Sequence, residues 1–241
     1  MNVLCVIPAR SGSQRIPRKN WQEIDGQSLV MHAHTAAVAS GVCDRIVVSS
    51  DSPEWPVPEV INRPEHLSRG EPDSLSRTVQ HALQQCERGG VEYDLVVTLQ
   101  PATPLRSPTL IREMVTNTMK FRTKGAITMA KTVPWTWQIN GSGAVNSWFP
   151  HPYPRSQDCN FQALQEINTV QIGDRESVLQ GKRWGLPLLV TEMPSWATLD
   201  IDTPGDLEES RRLWRPLRAE MDAITDFPHH VVYSINGVNE Q

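Results

Sequence analysis

The opening loop of this chain contains neither a GxxxxGK[ST] phosphate loop nor the GxGxxG fingerprint of dinucleotide-binding folds. It is therefore neither a Walker-type nor a dinucleotide-type phosphate loop. Cysteine is scarce: Cys5, Cys43, Cys86 and Cys159 stand far apart, with no CxxC pair. That argues against a zinc site and leaves reduced structural thiols, as expected of a cytoplasmic protein. No apolar run approaches the roughly 18 residues of a membrane span. Pro8 and Arg10 cut the first apolar run to a few residues, so no secretory leader is expected. There is no general basic excess either. Lys and Arg number 23 against 27 Asp and Glu, a net charge of -4, which argues against a nucleic-acid binder. No internal repeat and no low-complexity segment occurs.

What remains is an ordinary globular composition, 39% hydrophobic and 21% charged over 241 residues. That length suits one substantial domain, assigned to residues 1–225, with 226–241 as a tail. Strand and helix patterns alternate. Residues 3–8, 44–51, 93–100, 125–132, 168–172 and 186–193 read as strands. Residues 44–51 are continuous in apolar character, as a buried parallel strand should be. Residues 28–40 read as a helix. In 73–88, Leu75, Val79, Ala82, Leu83 and Cys86 make one helical stripe. Ser107-Pro108 and Thr203-Pro204 read as helix starts, the second with Asp206 completing a capping box. Pro216 is expected to kink or break that last helix. The predicted fold is α/β, a mainly parallel twisted sheet flanked by helices in a Rossmann-like three-layer arrangement. Such sheets bind ligands at the carboxyl ends of their strands, so the loops after residues 8, 51 and 100 should converge.

Residues 133–165 interrupt this pattern. Trp135, Trp137, Trp148, Phe149 and Phe161 crowd there among Pro, Gly and Asn. The segment reads as an excursion, a hairpin or arm for dimer contacts or a substrate lid. A small aromatic minicore is the alternative.

Three stretches carry chemistry. The first is "VIPARSGSQRIPRKN", residues 6–20, with Arg10, Arg15, Arg18 and Lys19 and no acid. Small residues Ala9, Ser11, Gly12 and Ser13 let backbone amides approach a ligand, and cations follow. Amides with Arg and Lys suit a polyphosphate; a solvated basic loop is the other reading. The second is "LDIDTPGDLE", residues 199–208. Asp200 and Asp202 alternate around Ile201, so both carboxylates face one way. Hard oxygen donors in that arrangement suit Mg²⁺, which takes one or two carboxylates plus substrate phosphates. Helix capping is the other use, but Thr203 already holds that position. The third is "LQPATPLR", residues 99–106, which puts Gln100 at the end of a buried strand, where it can read a sugar hydroxyl or a base edge.

With "VVSSD" at 47–51, these stretches in this order resemble the acylneuraminate cytidylyltransferases, the CMP-sialic acid synthetases. Their typical motifs read IPARGGSKRIPxKN, LQPTSPLR and DIDTxxDL. The resemblance spans roughly residues 3–210 and implies a nucleotidyltransferase that passes CMP from CTP to the hydroxyl of an acidic sugar and releases pyrophosphate. It implies that Arg10, Ser11, Gly12, Ser13, Gln14, Arg15, Lys19, Asn20 and Ser74 lie at the nucleotide, and that Asp200 and Asp202 hold Mg²⁺. Arg10, Lys19 and Asp202 are the catalytic candidates. Gln100, Arg155 and Gln157 are assigned to the acceptor. The partners expected are CTP, a small acidic acceptor and a second copy in a homodimer, with no nucleic acid and no membrane.

Three positions depart from the family pattern. Gln14 replaces a Lys of the opening loop, Thr136 stands where a Lys usually follows a proline, and "INTVQI" at 167–172 replaces NGAIYI. They allow a different acceptor, such as Kdo or a phosphonate, or a non-catalytic nucleotide binder on the same fold. Arg15, beside Gln14, is the group that could fill the lost charge.

Overall fold

The apolar stretch after Asn2 forms the first strand, β1 (Val3–Pro8). The computed structural model describes residues 1–52, 54–68, 73–132, 137–139, 145–147 and 164–235. After β1 come β2 (Glu23–Ile24), β3 (Gln27–Ser28), α1 (Leu29–Ser40), β4 (Arg45–Ser50) and β5 (Val60–Asn62). The middle holds α2 (Ser74–Glu87), β6 (Leu95–Thr98), α3 (Pro108–Phe121) and β7 (Gly125–Lys131). Next are β8 (Trp137–Ile139), β9 (Val145–Ser147), β10 (Leu164–Asp174) and α4 (Arg175–Leu179). The chain ends in β11 (Leu188–Met193), α5 (Pro204–Ala223) and β12 (His229–Val232).

Eight strands form one sheet in the order β12-β11-β7-β10-β6-β1-β4-β5. β1 pairs in parallel with β4 and β6, β4 with β5, and β7 with β11. β10 runs antiparallel between β6 and β7, and β12 runs antiparallel along β11. The mainly parallel α/β sheet expected from the sequence is present.

The apolar runs are continuous because both faces of the sheet are covered. Along β1, Val3, Cys5 and Ile7 join a large core with Leu29 and Ala33 of α1, Leu110 and Met114 of α3, and Trp214 of α5. Leu4 and Val6 point the other way, to Val79, Ala82 and Leu83 of α2 and Val178 of α4. Each fully buried aliphatic side chain contributes about 1.5–3 kcal/mol of transfer free energy.

Local chemistry sets the element ends. Ser28 Oγ accepts from Met31 N at 3.3 Å and Ser107 Oγ from Leu110 N at 3.1 Å, so both serines cap their helices. Thr203 and Asp206 form the expected capping box. Asp25 (φ 51°) and Gly26 (φ 76°) make a two-residue turn with both centres left-handed, which joins β2 to β3.

Two sequence expectations change. α5 runs unbroken from Pro204 to Ala223 through Pro216, which lies exposed between the buried Trp214 and Met221. Burial of that stripe on both sides of the proline outweighs the one backbone bond it removes. The stretch read as a tail contributes β12 to the sheet, and Phe227 is buried. Its pattern is too short to show a period. Of the excursion, β8 and β9 pair as a two-stranded antiparallel hairpin apart from the main sheet. Arg155, Gln157, Thr136 and the other aromatic residues of the excursion lie outside the described residues. Among the described residues no helix is long and apolar enough to cross a membrane.

Candidate active site

At the end of β1, Ala9 N still bonds Ser49 O at 2.9 Å, and the chain then leaves the sheet. Ser11 turns to the loop after β4: its amide and its hydroxyl donate to Asp51 at 2.6 and 3.0 Å. Burial pushes the Asp51 carboxyl up. The Ser11 bonds, its own backbone amide and the charge of Arg63 outweigh that and hold it below the ordinary carboxylate range. Asp51 is thus an anionic anchor for the basic loop. The buried Asn20 closes the loop from its far end, with Nδ2 donating to Arg10 O at 2.9 Å.

The loops after β1 and β6 converge, as expected, on a cavity of about 390 Å³; the loop after β4 does not line it and reaches it only through the hold of Asp51 on Ser11. Arg10, Ser13, Gln14, Arg15, Lys19 and Asn20 of the opening loop line it. Arg63 after β5, Ser74 and Thr78 of α2, Gln100 and Pro101 after β6, and Asp202 complete the wall. Four cations, Arg10, Arg15, Lys19 and Arg63, face one carboxylate, Asp202. That balance selects an anion, and the volume suits a small molecule rather than a polymer.

Lys19 Nζ donates to Ile201 O at 2.8 Å and to Asp202 Oδ1 at 3.2 Å. Arg15 Nη1 reaches Asp202 Oδ2 at 2.9 Å. So Arg15 points into the cavity that Gln14 lines, where the family's extra lysine is missing. Ile201 is buried and its two flanking aspartates are exposed, as alternation requires. Although Asp200 reaches solvent, the protein around its carboxyl strips part of its hydration and pushes it up, and the neighbouring Asp202 carboxylate adds to this. A carboxylate whose charge is disfavoured by a close second carboxylate is a fitting donor, with that neighbour, for a hard divalent cation. Among the described residues no third carboxylate, His or Cys joins them. Further oxygen ligands would come from substrate and water.

The Gln100 loop is fixed by Arg106, a guanidinium buried completely in the core. It donates to Gln100 O and, at 2.5 Å, to Thr103 O. Thr103 Oγ1 in turn donates to Asn168 O of β10 at 2.9 Å, and Ala102 O accepts from Ile201 N at 2.9 Å. One loop therefore holds both the strand that carries "INTVQI" and the segment that carries the aspartates. There Gln171 Nε2 donates to Asn168 Oδ1 at 2.7 Å, and Arg183 bonds Glu166 and Asn168.

Arg10, Ser13, Gln14, Arg15, Lys19, Asn20, Ser74, Gln100 and Asp202 are thus gathered at one cavity. Ser11, Gly12 and Asp200 are near it but do not line it. A Cβ at Gly12 would meet no protein atom within 4 Å, so packing within the chain does not demand glycine there. Arg63 escapes notice in the sequence because it follows a three-residue strand in a proline-rich stretch. Burial lowers its pKa to about 10, with Arg10 adding to the effect and Asp51 opposing it. Its Nη2 donates to Ser49 O at 2.6 Å. The signal for it was the end of a parallel strand, which β5 is too short to announce.

A family model described as cytidylyltransferase matches residues 4–172. CMP-N,N'-diacetyllegionaminic acid synthase of Legionella pneumophila is 30% identical over 231 residues, covering 88% of this chain and 96% of that protein. Pseudaminic acid cytidylyltransferase of Campylobacter jejuni is 28% identical over 227 residues, covering 89% and 97%. The solved structure of CMP:2-keto-3-deoxy-manno-octonic acid synthetase, complexed with CTP, has the same fold. Its TM-score is 0.63 at 19% identity, over 90% of this chain and 99% of that one. The strand order, the basic cavity and these likenesses agree: the chain belongs to the cytidylyltransferase family and is a CTP-dependent cytidylyltransferase.

Proposed function

We propose that this enzyme transfers CMP from CTP to the hydroxyl of a nonulosonic acid, a nine-carbon acidic sugar of the sialic acid type. The observation that carries the reading is the cavity itself, with four cations and Asp202 gathered beside the carboxyl ends of β1, β5 and β6. The two relatives that align over nearly their whole length are named for acids of this class.

The acceptor oxygen attacks the α-phosphorus of CTP. The bond from that phosphorus to the bridging oxygen of the β-phosphate breaks, pyrophosphate leaves with the electron pair, and the hydroxyl proton passes to solvent water. Such transfer needs positioning and charge neutralisation more than covalent help from the protein. Arg10, Lys19 and Arg63 neutralise the phosphate oxygens. Asn20 and Ser11 hold the loop, and Ile201 O and Asp202 hold the Lys19 ammonium. Gln100 binds the acceptor, with Arg155 and Gln157 assigned to the same side. Asp200 and Asp202 would hold Mg²⁺, which supplies charge neutralisation at phosphate oxygens when bound.

The reading includes a homodimer with the 133–165 excursion at the interface. The separate β8–β9 hairpin and the tryptophan-rich sequence around it support this. It also includes a cytoplasmic setting, supported by the free thiols of Cys5, Cys43 and Cys86.

The same chemistry on Kdo or a phosphonate is the second reading, favoured by the altered residues at Gln14 and in "INTVQI". The test is pyrophosphate release from each ribonucleoside triphosphate with Mg²⁺, against a panel of nonulosonic acids, Kdo and phosphonates. Release with CTP and a nonulosonic acid is expected. Release only with Kdo or a phosphonate would transfer the assignment to that acid. CTP binding with no release from any acid would favour a non-catalytic binder.

A further inference from the structure

Lys19 and Asn20 sit between Arg18 and Trp21, in one 3₁₀ turn, Lys19–Trp21. Ile201 O and Asp202 hold the Lys19 ammonium, but they do not by themselves set the path of the backbone that carries it. Arg18 has φ 49° and ψ 43°, a left-handed conformation that a non-glycine residue adopts at a cost. Trp21 N bonds Arg18 O at 2.9 Å and closes the turn. The Trp21 ring stacks on Trp55 with centroids 3.6 Å apart and planes at 24°. The Arg18 guanidinium carbon lies 4.9 Å from the Trp21 ring centroid. Trp55 is buried, and its indole nitrogen donates to Ser50 Oγ at 2.9 Å. So Trp55 is anchored to β4, the strand whose following residue, Asp51, already holds Ser11.

We infer that the Trp21–Trp55 stack, with Arg18 over it, is a positioning clamp that aims Lys19 at the triphosphate and seats Asn20 to close the loop. The basic loop is gripped at two points by one segment: Ser11 by Asp51 at its start and Trp21 by Trp55 at its end. Between those grips the backbone of residues 18–21 has one path. The left-handed Arg18 is kept in place by the cation contact and the stack. Aromatic rings serve well here because a stacked pair adds about 0.5–1.5 kcal/mol beyond the area it buries and prefers a defined relative geometry. The inference rests on the assignment of Lys19 to the nucleotide.

The test uses the full chain with CTP and Mg²⁺. The probes are calorimetric CTP affinity and the exciton couplet that two stacked indoles give in circular dichroism. Trp55→Leu should lose the couplet, unfold cooperatively, and bind CTP more weakly by about tenfold to a hundredfold. Trp55→Phe, which keeps a ring, should recover most of the affinity. Trp184→Leu, which removes an indole packed near Ile127 and Leu188, should leave CTP affinity unchanged. Trp55→Leu without the couplet but with unchanged CTP affinity would overturn the clamp, and so would an equal loss in Trp184→Leu. Should Trp55→Leu not fold, Arg18→Ala is the second variant. A severalfold weaker CTP affinity supports the clamp, and no change overturns it. Lys19→Met separates the two assignments. If it weakens CTP binding and Trp55→Leu does not, the clamp alone falls. If Lys19→Met binds CTP normally, the nucleotide assignment of Lys19 falls, and the clamp with it.

Discussion

The Arg15 guanidinium lies 2.9 Å from the Asp202 carboxylate, across 187 positions of sequence. Both side chains are more than half exposed, at 66% and 53%. A pair this wet contributes at most about 1 kcal/mol to stability. Its value is in placement: it brings a cation of the opening loop to the segment that carries the aspartates. Arg15→Gln should therefore leave the urea midpoint nearly unchanged while pyrophosphate release falls about tenfold, as expected for losing one charge aimed at the transferring group. A midpoint shift without a rate loss would make Arg15 a structural residue.

Asp202 is the residue on which the metal assignment turns. Asp202→Asn keeps the shape, removes the charge and frees Lys19 and Arg15 from their partner. Turnover is expected to fall by about a hundredfold or more, with a weaker response to added Mg²⁺. CTP binding in the absence of Mg²⁺ should be retained. A variant that turns over normally would remove Asp202 from the catalytic group.

Gln14 tests whether a charge is missing. Arg15 already enters the cavity, so Gln14→Lys should change turnover by less than about threefold. A rise beyond tenfold would mean that Arg15 does not replace the family's lysine.

His32 gives the fold a pH dependence. Burial, chiefly, holds its pKa below the ordinary 6.5, even though its bond to Ile24 O pulls the other way. Nearby Arg218 and Arg106 add to the lowering, and Asp25 opposes it. Below 6.5 the unfolded chain takes up a proton that the folded state resists, so stability is full above that pH and falls as pH drops through the window beneath it. Thermal midpoints measured from pH 7.5 to about 5 should show this fall. His32→Phe, which keeps an aromatic contact with Trp214 at the observed 4.5 Å spacing, should flatten it. His34, His81 and His229 are shifted in the same direction, so the slope shrinks without vanishing.

Pro216→Ala restores a backbone donor inside α5 at an exposed position. It should stabilise the protein by about 1–3 kcal/mol in urea unfolding. A loss instead would mean that a bend at Pro216 is needed to seat Trp214 and Met221 together.

The sequence was most legible where a local pattern and its physical cause coincide. Alternation alone sends Val3 and Leu4 to opposite faces, and Ser107-Pro108 is a complete helix start. The meeting of the loops after β1 and β6 followed from strand order, whereas the third wall came from Arg63 after β5 and not from the loop after β4; Asp200 and Asp202 followed from period two. Other features depend on partners far along the chain. A buried strand reads the same in either direction, so nothing in "NTVQI" announces that β10 runs antiparallel. β12 has three half-buried residues and an exposed His230, and it exists because β11 offers an edge. Arg63 and Trp55 sit in a proline-rich stretch whose role appears only once β5 pairs with β4. Pro216 forecasts a break that burial on either side overrides.

The bond from Lys19 Nζ to Ile201 O has a consequence for how the protein is made. Its two ends are separated by 182 positions. At a synthesis rate of about 5–20 residues per second, the opening loop leaves the ribosome roughly 10 to 40 seconds before its partner exists. During that interval Asp51 and Trp55 are already in the chain and can hold Ser11 and Trp21, but the Lys19 ammonium has no seat. A nascent chain halted before Ile201 should thus carry a half-formed nucleotide site, and CTP would become a tight ligand only once Ile201 and Asp202 have been made.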